Sequence, residues 1–170
     1  MRRIIVGLVA SVAVIGVLVG ASATAVTDEQ LEIVAARCVR VQMSIRNLQR
    51  SDALIRVGLG RNYEFVLTRL MTPMNSRLVA HHMDAGNLLE ITARFNENLG
   101  YFRRNYITYD RLIGELLAMD CARRPRDFYE RLEAARHMRG EVRFNYVMLN
   151  EIIEEYMREI EVIEERMRRG

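Results

Sequence analysis

The sequence predicts an all-α fold: an elongated antiparallel three-helix bundle, coiled-coil-like, that follows an N-terminal hydrophobic export segment. Three observations predict it. After residue 27, apolar residues recur at alternating steps of three and four, the spacing of one face of a helix. Strand signals are weak, because no alternating Val, Ile and Thr run lies between turn residues. Helix-breaking residues cluster in two stretches, 72–86 and 123–127, which divide the chain into three helical parts.

Composition favours a single domain with a buried core. The chain has 170 residues, half of them apolar and only two of them proline, so we expect one domain over 27–170. All 25 basic residues are arginine, and the formal net charge is +3. Because arginines alternate with acidic residues along the helices, we interpret them as solvated faces and predict no nucleic-acid binding.

Residues 1–25 have the pattern of an export signal. Arg2 and Arg3 precede an uncharged, mostly apolar stretch over 4–23. Small residues at 21–25 favour a cleaved signal peptide, whereas a span of about 30 Å would also suit an uncleaved transmembrane anchor. In both cases the arginines stay inside, so we predict an extracytoplasmic body that is secreted or anchored to the cytoplasmic membrane.

The first predicted helix covers about 28–71. Thr27 and Gln30 fit a capping box at its start. The apolar stripe keeps its phase through Gly58 and Gly60, so we predict that these glycines do not break the helix. A turn at the glycines is the alternative, since each weakens a helix by about 1 kcal/mol.

One charged residue falls on the apolar stripe of this helix. We expect Asp52 to pair there with Arg56, one turn on. At about 1.5 Å per residue the helix would be about 65 Å long, which predicts a rod. The stripe consists of Leu31, Val34, Cys38, Val41, Ile45, Leu48, Asp52, Ile55, Leu59, Tyr63, Val66 and Leu70.

Thr72 and Pro73 are expected to stop or bend the first helix, since proline lacks an amide donor and disfavours helix in the residue before it. They would then begin a short helix or turn within 72–86, which Asp84 to Gly86 would end. This segment would be the far tip of the rod. Its candidate partner-contact residues are Leu78, Val79, His81 and His82.

Two further helices are predicted at about 87–121 and 127–168, joined by the polar stretch 123–127. The stripe of the second consists of Leu88, Ile91, Phe95, Leu99, Phe102, Tyr106, Tyr109, Ile113 and Leu116. The stripe of the third consists of Phe128, Leu132, Ala135, Met138, Val142, Tyr146, Leu149, Ile153, Tyr156, Ile160, Ile163 and Met167.

The two cysteines provide a geometric test of this layout. In a helical hairpin, residues equidistant from the turn are neighbours, and the midpoint of Cys38 and Cys121 falls between positions 79 and 80, inside the segment 72–86. An exported chain meets an oxidising compartment. We therefore predict a disulfide; two buried free thiols are the alternative.

No set of catalytic, cofactor-binding or metal-binding residues emerges from the motifs. His81 and His82, with Asp84 nearby, could suggest a metal, but adjacent histidines point apart on a helix and a third ligand is missing. Nucleotide-binding, zincin and serine-hydrolase motifs are not found either. We therefore predict no enzyme, no cofactor and no metal, and we infer no small-molecule substrate.

Short segments over most of the chain after the leader resemble a known family. They are SDALIRV at 51–57, Gly60, YE at 63–64, NSR at 75–77, DC at 120–121, Pro125 and FY at 128–129. The chain thereby resembles an uncharacterised family of exported α-helical proteins from small-genome, Saccharibacteria-type bacteria. The resemblance implies an exported helical protein with paired cysteines and no known activity.

Two functional hypotheses follow. The first is a non-enzymatic structural or interaction protein of the cell envelope, with a protein partner or self-association, which contacts the membrane through residues 1–25 if they are uncleaved. The alternative is an extracytoplasmic binding or chaperone-like module that uses a groove between helices or a Met-rich cap around Met71, Met74 and Met83. An exposed apolar cleft would favour the alternative, and a filled seam would favour the first.

Overall fold

The computed structural model describes residues 26–169, and this part of the chain is helical and contains no strand, which confirms the all-α prediction. No helix within it is both long and apolar enough to span a membrane. The predicted export segment, residues 1–25, lies outside the described residues. The elements are α1 (Asp28–Ala36), α2 (Cys38–Phe65), a π-helix (Val66–Met71), α3 (Thr72–Ala80), α4 (Gly86–Ala118) and α5 (Pro125–Arg169).

The first helix begins at the predicted capping box. Gln30 donates its backbone N–H to the Thr27 hydroxyl at 3.3 Å, and the Gln30 side chain accepts from the Thr27 N–H at 3.0 Å. An irregular residue, Arg37, separates α1 from α2. From there α2 runs through Gly58 and Gly60 without a break, as the phase of the stripe predicted.

The helix continues through Thr72 and Pro73, so of the predicted stop or bend, the stop is wrong. The helix widens into the π-helix instead, and Thr72 donates both its N–H and its hydroxyl to the carbonyl of Leu67. A wider turn accommodates the Pro73 ring, which in an α-helix would clash with the carbonyl four residues earlier. The extra residue shifts the phase, so Met71 is buried and Leu70, the predicted stripe residue, is exposed.

A left-handed residue, His82, ends α3. Its φ is 56°. Met83 donates its N–H to the Leu78 carbonyl at 3.0 Å, and His82 donates to the Val79 carbonyl at 3.0 Å. These two bonds define a Schellman motif, in which the side chains of Leu78 and Met83 join the same core cluster. The motif closes the helix before the loop that leads to α4.

Helix α4 packs against both α2 and α5. Polar contacts join the early part of α4 to the late part of α5, and the end of α4 to the early part of α5. Others join α2 and α3 to α4. The whole predicted stripe of α4 is buried, from Leu88 to Leu116. The polar contacts between the helices include Arg94 with Glu155, Asn105 with Asn145, Glu115 with Arg131, Gln49 with Asp110 and Asn75 with Thr92.

The predicted disulfide between Cys38 and Cys121 is present, with the two Cα atoms 5.5 Å apart. It joins the start of α2 to the turn after α4. Cys121 is not helical as predicted, because α4 ends at Ala118 and the Asp120 carboxylate accepts the backbone N–H groups of Ala122 and Arg123, each at 3.1 Å. The Gln42 side chain of α2 donates to the Met119 carbonyl at 2.8 Å, and so gives a hydrogen bond to a backbone carbonyl at the end of α4.

Candidate functional site

The predicted partner-contact tip is only partly accessible. Leu78 packs into the core and is 5% exposed. Val79, His81 and His82 are exposed. Among residues 26–169, no group of three or more His, Cys, Asp and Glu side chains is arranged to hold a metal ion.

The methionines of the predicted cap face the core rather than solvent. Met71 is buried, and Met74 and Met83 pack against the cluster that contains Phe95 and Leu99. Of the two surfaces considered for a binding module, the groove between helices is therefore the more accessible one.

A cleft of about 650 Å³ opens between α2, α4 and α5. Its walls combine aliphatic side chains, aromatic rings and arginines, and one carboxylate lies in its floor. The residues that line it are Asp52, Ile55, Arg56, Leu59, Phe102, Tyr106, Tyr109, Arg136, Arg139, Gly140, Val142, Arg143 and Tyr146.

The cleft lies where the predicted seam fails to close. Ile55 and Tyr146 belong to the predicted apolar stripes of α2 and α5, yet they are 56% and 40% exposed. On α5 the neighbouring Asn145 is buried instead, and its side-chain oxygen accepts from Asn105 at 2.8 Å. Because this amide pair occupies the seam between α4 and α5, the Tyr146 ring lies at the cleft.

A three-residue polar network forms the floor. Tyr109 donates its hydroxyl to Asp52 at 2.7 Å, and Arg139 donates Nε and Nη2 to the two carboxylate oxygens at 2.8 and 3.0 Å. The predicted pair of Asp52 with Arg56 is wrong. The partner comes from α5, where a bidentate guanidinium fork matches both oxygens of the carboxylate.

The network perturbs the acidity of its members. Burial raises the pKa of the Asp52 carboxyl, but the hydrogen bonds from Arg139 and Tyr109 outweigh burial, so the pKa lies below 3.8. The hydrogen bond with Asp52 raises the pKa of Arg139. Burial, and then the bond to Asp52, raise the pKa of Tyr109. Because it is paired and ionised, Asp52 is a weak base and serves to position its neighbours.

Arg56 lies beside this network without joining it. Its guanidinium carbon sits 4.0 Å from the centroid of the Tyr106 ring, within the range of a cation–π contact. Its Nε atom is buried and has no hydrogen-bond partner among the described residues. An unpaired buried N–H is uncommon and costly.

No protein-family model, no curated protein and no solved structure matches this chain. The resemblance to an exported helical family of Saccharibacteria-type bacteria therefore stays a prediction. Any functional assignment depends on the geometry described above.

Replacing Asp52 by asparagine is expected to lower the free energy of unfolding by about 2 kcal/mol at pH 7, since the network loses its negative charge and one of its two acceptor oxygens. The lowered pKa of Asp52 means that its contribution is complete above pH 3.8 and is lost as the pH falls through the folded-state value. Urea unfolding at pH 7 and near pH 3 should therefore show a difference between wild type and Asp52→Asn that shrinks in acid.

Asp110 provides the matched control, because this α4 carboxylate accepts one exposed hydrogen bond, from Gln49 at 3.2 Å. Asp110→Asn should change stability by less than about 0.5 kcal/mol at either pH. A deficit of Asp52→Asn that stays the same at both pH values would contradict the proposed ionic role of the network.

The sequence contains only a partial signal of the cleft. Asp52 on an apolar stripe indicated a polar site at the seam, but its true partner lies 87 residues away on α5. Arg136, Arg139 and Arg143 occur at helical spacing and look like an ordinary solvated face in the sequence. Only the packing of three helices shows that this face borders a cavity.

Proposed function

We propose that the protein is an exported, non-enzymatic binding module that holds a ligand in the cleft between α2, α4 and α5. The observation that supports the proposal is the cleft itself. Its volume of about 650 Å³ lies within the range of small-molecule sites, about 300 to 1,000 Å³. Its lining is mainly apolar and aromatic with a few polar groups, which is the composition of such sites.

In this proposal the helices form an elongated antiparallel three-helix bundle, in which α2 with α3, α4 and α5 are the three rods. The opposite directions of the cross-helix contacts support that arrangement. The disulfide joins α2 to the turn after α4, and the Asp52–Arg139 pair joins α2 to α5. These two links hold the walls of the cleft in place before a ligand arrives, which lowers the cost of binding.

Replacing Gly140 by tryptophan is expected to block the cleft. A Cβ atom at Gly140 would meet no heavy atom within 4 Å, so a larger side chain has room to extend. Titration with the neutral apolar dye N-phenyl-1-naphthylamine, followed by fluorescence, should show binding to the wild type. Gly140→Trp should weaken that binding by about tenfold or more, the equivalent of about 1.4 kcal/mol of apolar contact.

Gly140→Ala is the matched control. The methyl group fills little of the cleft, so dye binding should stay unchanged, while the helix gains up to about 1 kcal/mol of stability. Equal dye binding by wild type, Gly140→Ala and Gly140→Trp would place the dye elsewhere and would overturn the proposal. Circular dichroism of each variant verifies that the helices remain folded.

The exposed tip supports a second candidate, a structural or interaction protein of the cell envelope. Val79, His81 and His82 are exposed at the end of α3, beside the left-handed turn. Replacing all three by serine should abolish crosslinking of the protein to a partner, or to itself, on intact cells. It should leave dye binding in the cleft unchanged, which separates the two candidates.

Both candidates place the protein outside the cytoplasm. The export pattern of residues 1–25 and the disulfide support that placement. Fractionation of a bacterial host that expresses a C-terminally tagged chain should recover the tag outside the cytosol. A mature N-terminus at Thr24 or Val26 would indicate cleavage, and an intact N-terminus in the membrane pellet would indicate an anchor. Recovery of the uncleaved chain in the cytosol would contradict export.

A further inference from the structure

We propose that the ligand of the cleft is a small amphipathic anion, with a carboxylate or phosphate head and an apolar body. The inference rests on the proposed function, because it names the ligand class of the same cleft. Three features support it: an excess of positive charge, an unsatisfied buried arginine N–H and an adjacent apolar wall. The anionic head would meet the positive charge and the unsatisfied N–H, and the apolar body would cover the wall.

The charges that line the cleft favour an anion. Four arginines line it against a single carboxylate, that of Asp52. Asp52 is 12% exposed and already engages Arg139 through both oxygens and Tyr109 through one. Arg136 also has a partner, Glu133 on the same helix. Arg56 and Arg143 remain to interact with an anion. Arg56 is half-buried inside the cleft, and Arg143 is exposed on its α5 side.

Arg56 is the residue best placed to bind the anionic head. The Tyr106 ring holds its guanidinium at 4.0 Å, and its buried Nε has no partner within residues 26–169. A guanidinium presents its N–H groups as a planar fork that fits the oxygens of a carboxylate or a phosphate. A ligand oxygen that accepts from Nε would supply the missing hydrogen bond once the Arg56 side chain turns to expose this buried atom to the cleft.

The apolar body would lie against the walls beside Arg56. Leu59, Phe102 and Val142 form those walls, and the exposed side chains of Ile55 and Tyr146 flank them. Covering such surface contributes about 25 cal/mol for each square ångström removed from water. A bare inorganic anion would leave this surface wet, and a neutral apolar molecule would leave Arg56 Nε without an acceptor.

Isothermal titration with eight-carbon probes tests the inference on the full-length protein. Octanoate and octyl phosphate carry the two candidate heads, octanol carries none, and inorganic phosphate carries no apolar body. We expect at least one of the two anions to bind about tenfold or more tightly than octanol and than inorganic phosphate. The ratio between octanoate and octyl phosphate identifies which head the site prefers.

Arg56→Met keeps the length of the side chain and removes its charge and donors. It should weaken binding of the preferred anion by about tenfold and leave the affinity for octanol unchanged. Arg46→Met is the matched control on the same helix, since Arg46 is exposed and does not line the cleft. Arg143→Met should also weaken binding of the anion. Because the position is exposed, the change carries little risk to folding.

The outcomes separate the inference from the function on which it rests. Equal affinity for octanol and both anions, abolished by Gly140→Trp, would overturn the anionic ligand class and support the cleft as an apolar site. Binding of an anion that Arg56→Met and Arg143→Met leave unchanged would overturn the assignment of the head group. Absence of binding by every probe, the neutral dye included, would overturn both proposals.

Discussion

Replacing Cys38 and Cys121 together by alanine is expected to lower the free energy of unfolding by about 4 kcal/mol. The disulfide spans 83 residues, and a crosslink over such a loop greatly restricts the unfolded chain. For a single domain with a typical stability of about 5 to 15 kcal/mol, the loss is a large share of the total. Urea unfolding of the double variant and of the wild type without reductant measures it.

Reduction of the wild type provides the internal control, since the reduced protein should unfold at nearly the same urea concentration as the double variant. The native, unreduced protein should also resist alkylation at both cysteines. Identical unfolding of oxidised and reduced wild type, or ready alkylation of the native protein, would show that the bond makes no contribution. The cleft should lose rigidity on reduction, because the disulfide joins one of its walls to the turn after α4.

Replacing Asn75 by alanine is expected to lower the free energy of unfolding by about 3 kcal/mol. Asn75 is 3% exposed and links three elements. Its amide donates to Thr92 at 2.8 Å and to the Leu88 carbonyl at 3.3 Å on α4, and its oxygen accepts from the Tyr156 hydroxyl of α5 at 2.8 Å. Truncation removes all three bonds from the buried seam and leaves the Tyr156 hydroxyl with only its longer contact to the Met71 carbonyl, at 3.3 Å. Thermal or urea unfolding measures the loss of stability.

Tyr156→Phe provides the second half of a double-mutant cycle. It removes one hydroxyl and should lower the free energy of unfolding by about 1 to 2 kcal/mol. The double variant should lose less stability than the sum of the two single variants. Ser76→Ala is the local control, since this exposed hydroxyl bonds only within its own helix, to the Thr72 carbonyl at 2.9 Å. A full loss for Asn75→Ala that is additive with Tyr156→Phe would mean that the two side chains act independently.

The amphipathic pattern predicted α4 most completely. Its stripe from Leu88 to Leu116 is buried, because α4 lies between α2 and α5 and packing on both sides reinforces one periodic face. The midpoint argument for Cys38 and Cys121 also succeeded, even though the helix does not stop at Thr72 and Pro73. It succeeded because the chain reverses between α3 and α4, within the same segment.

The predicted stripe of the first helix was wrong at one point, for a physical reason. A π-helix inserts a residue into the turn. Within Val66–Met71 no sequence pattern predicts that insertion, and the only nearby sign is the proline that follows. The stripe therefore predicted that Leu70 is buried, whereas Met71 is the buried residue and Leu70 is exposed. A helix period of 3.6 residues applies only while the hydrogen-bond register is kept.

The sequence by itself determined the local and periodic features. These are helix as the only regular structure of residues 26–169, the N-cap of α1 at Thr27, the passage of α2 through its glycines and the pairing of the cysteines. Only the tertiary structure decided that Asp52 pairs with Arg139, that Asn75 joins three elements and that Arg56 lies at an open cleft. The reason is that capping and amphipathicity depend on residues a few positions apart. A partner 81 or 87 residues away depends on how whole helices rotate and pack.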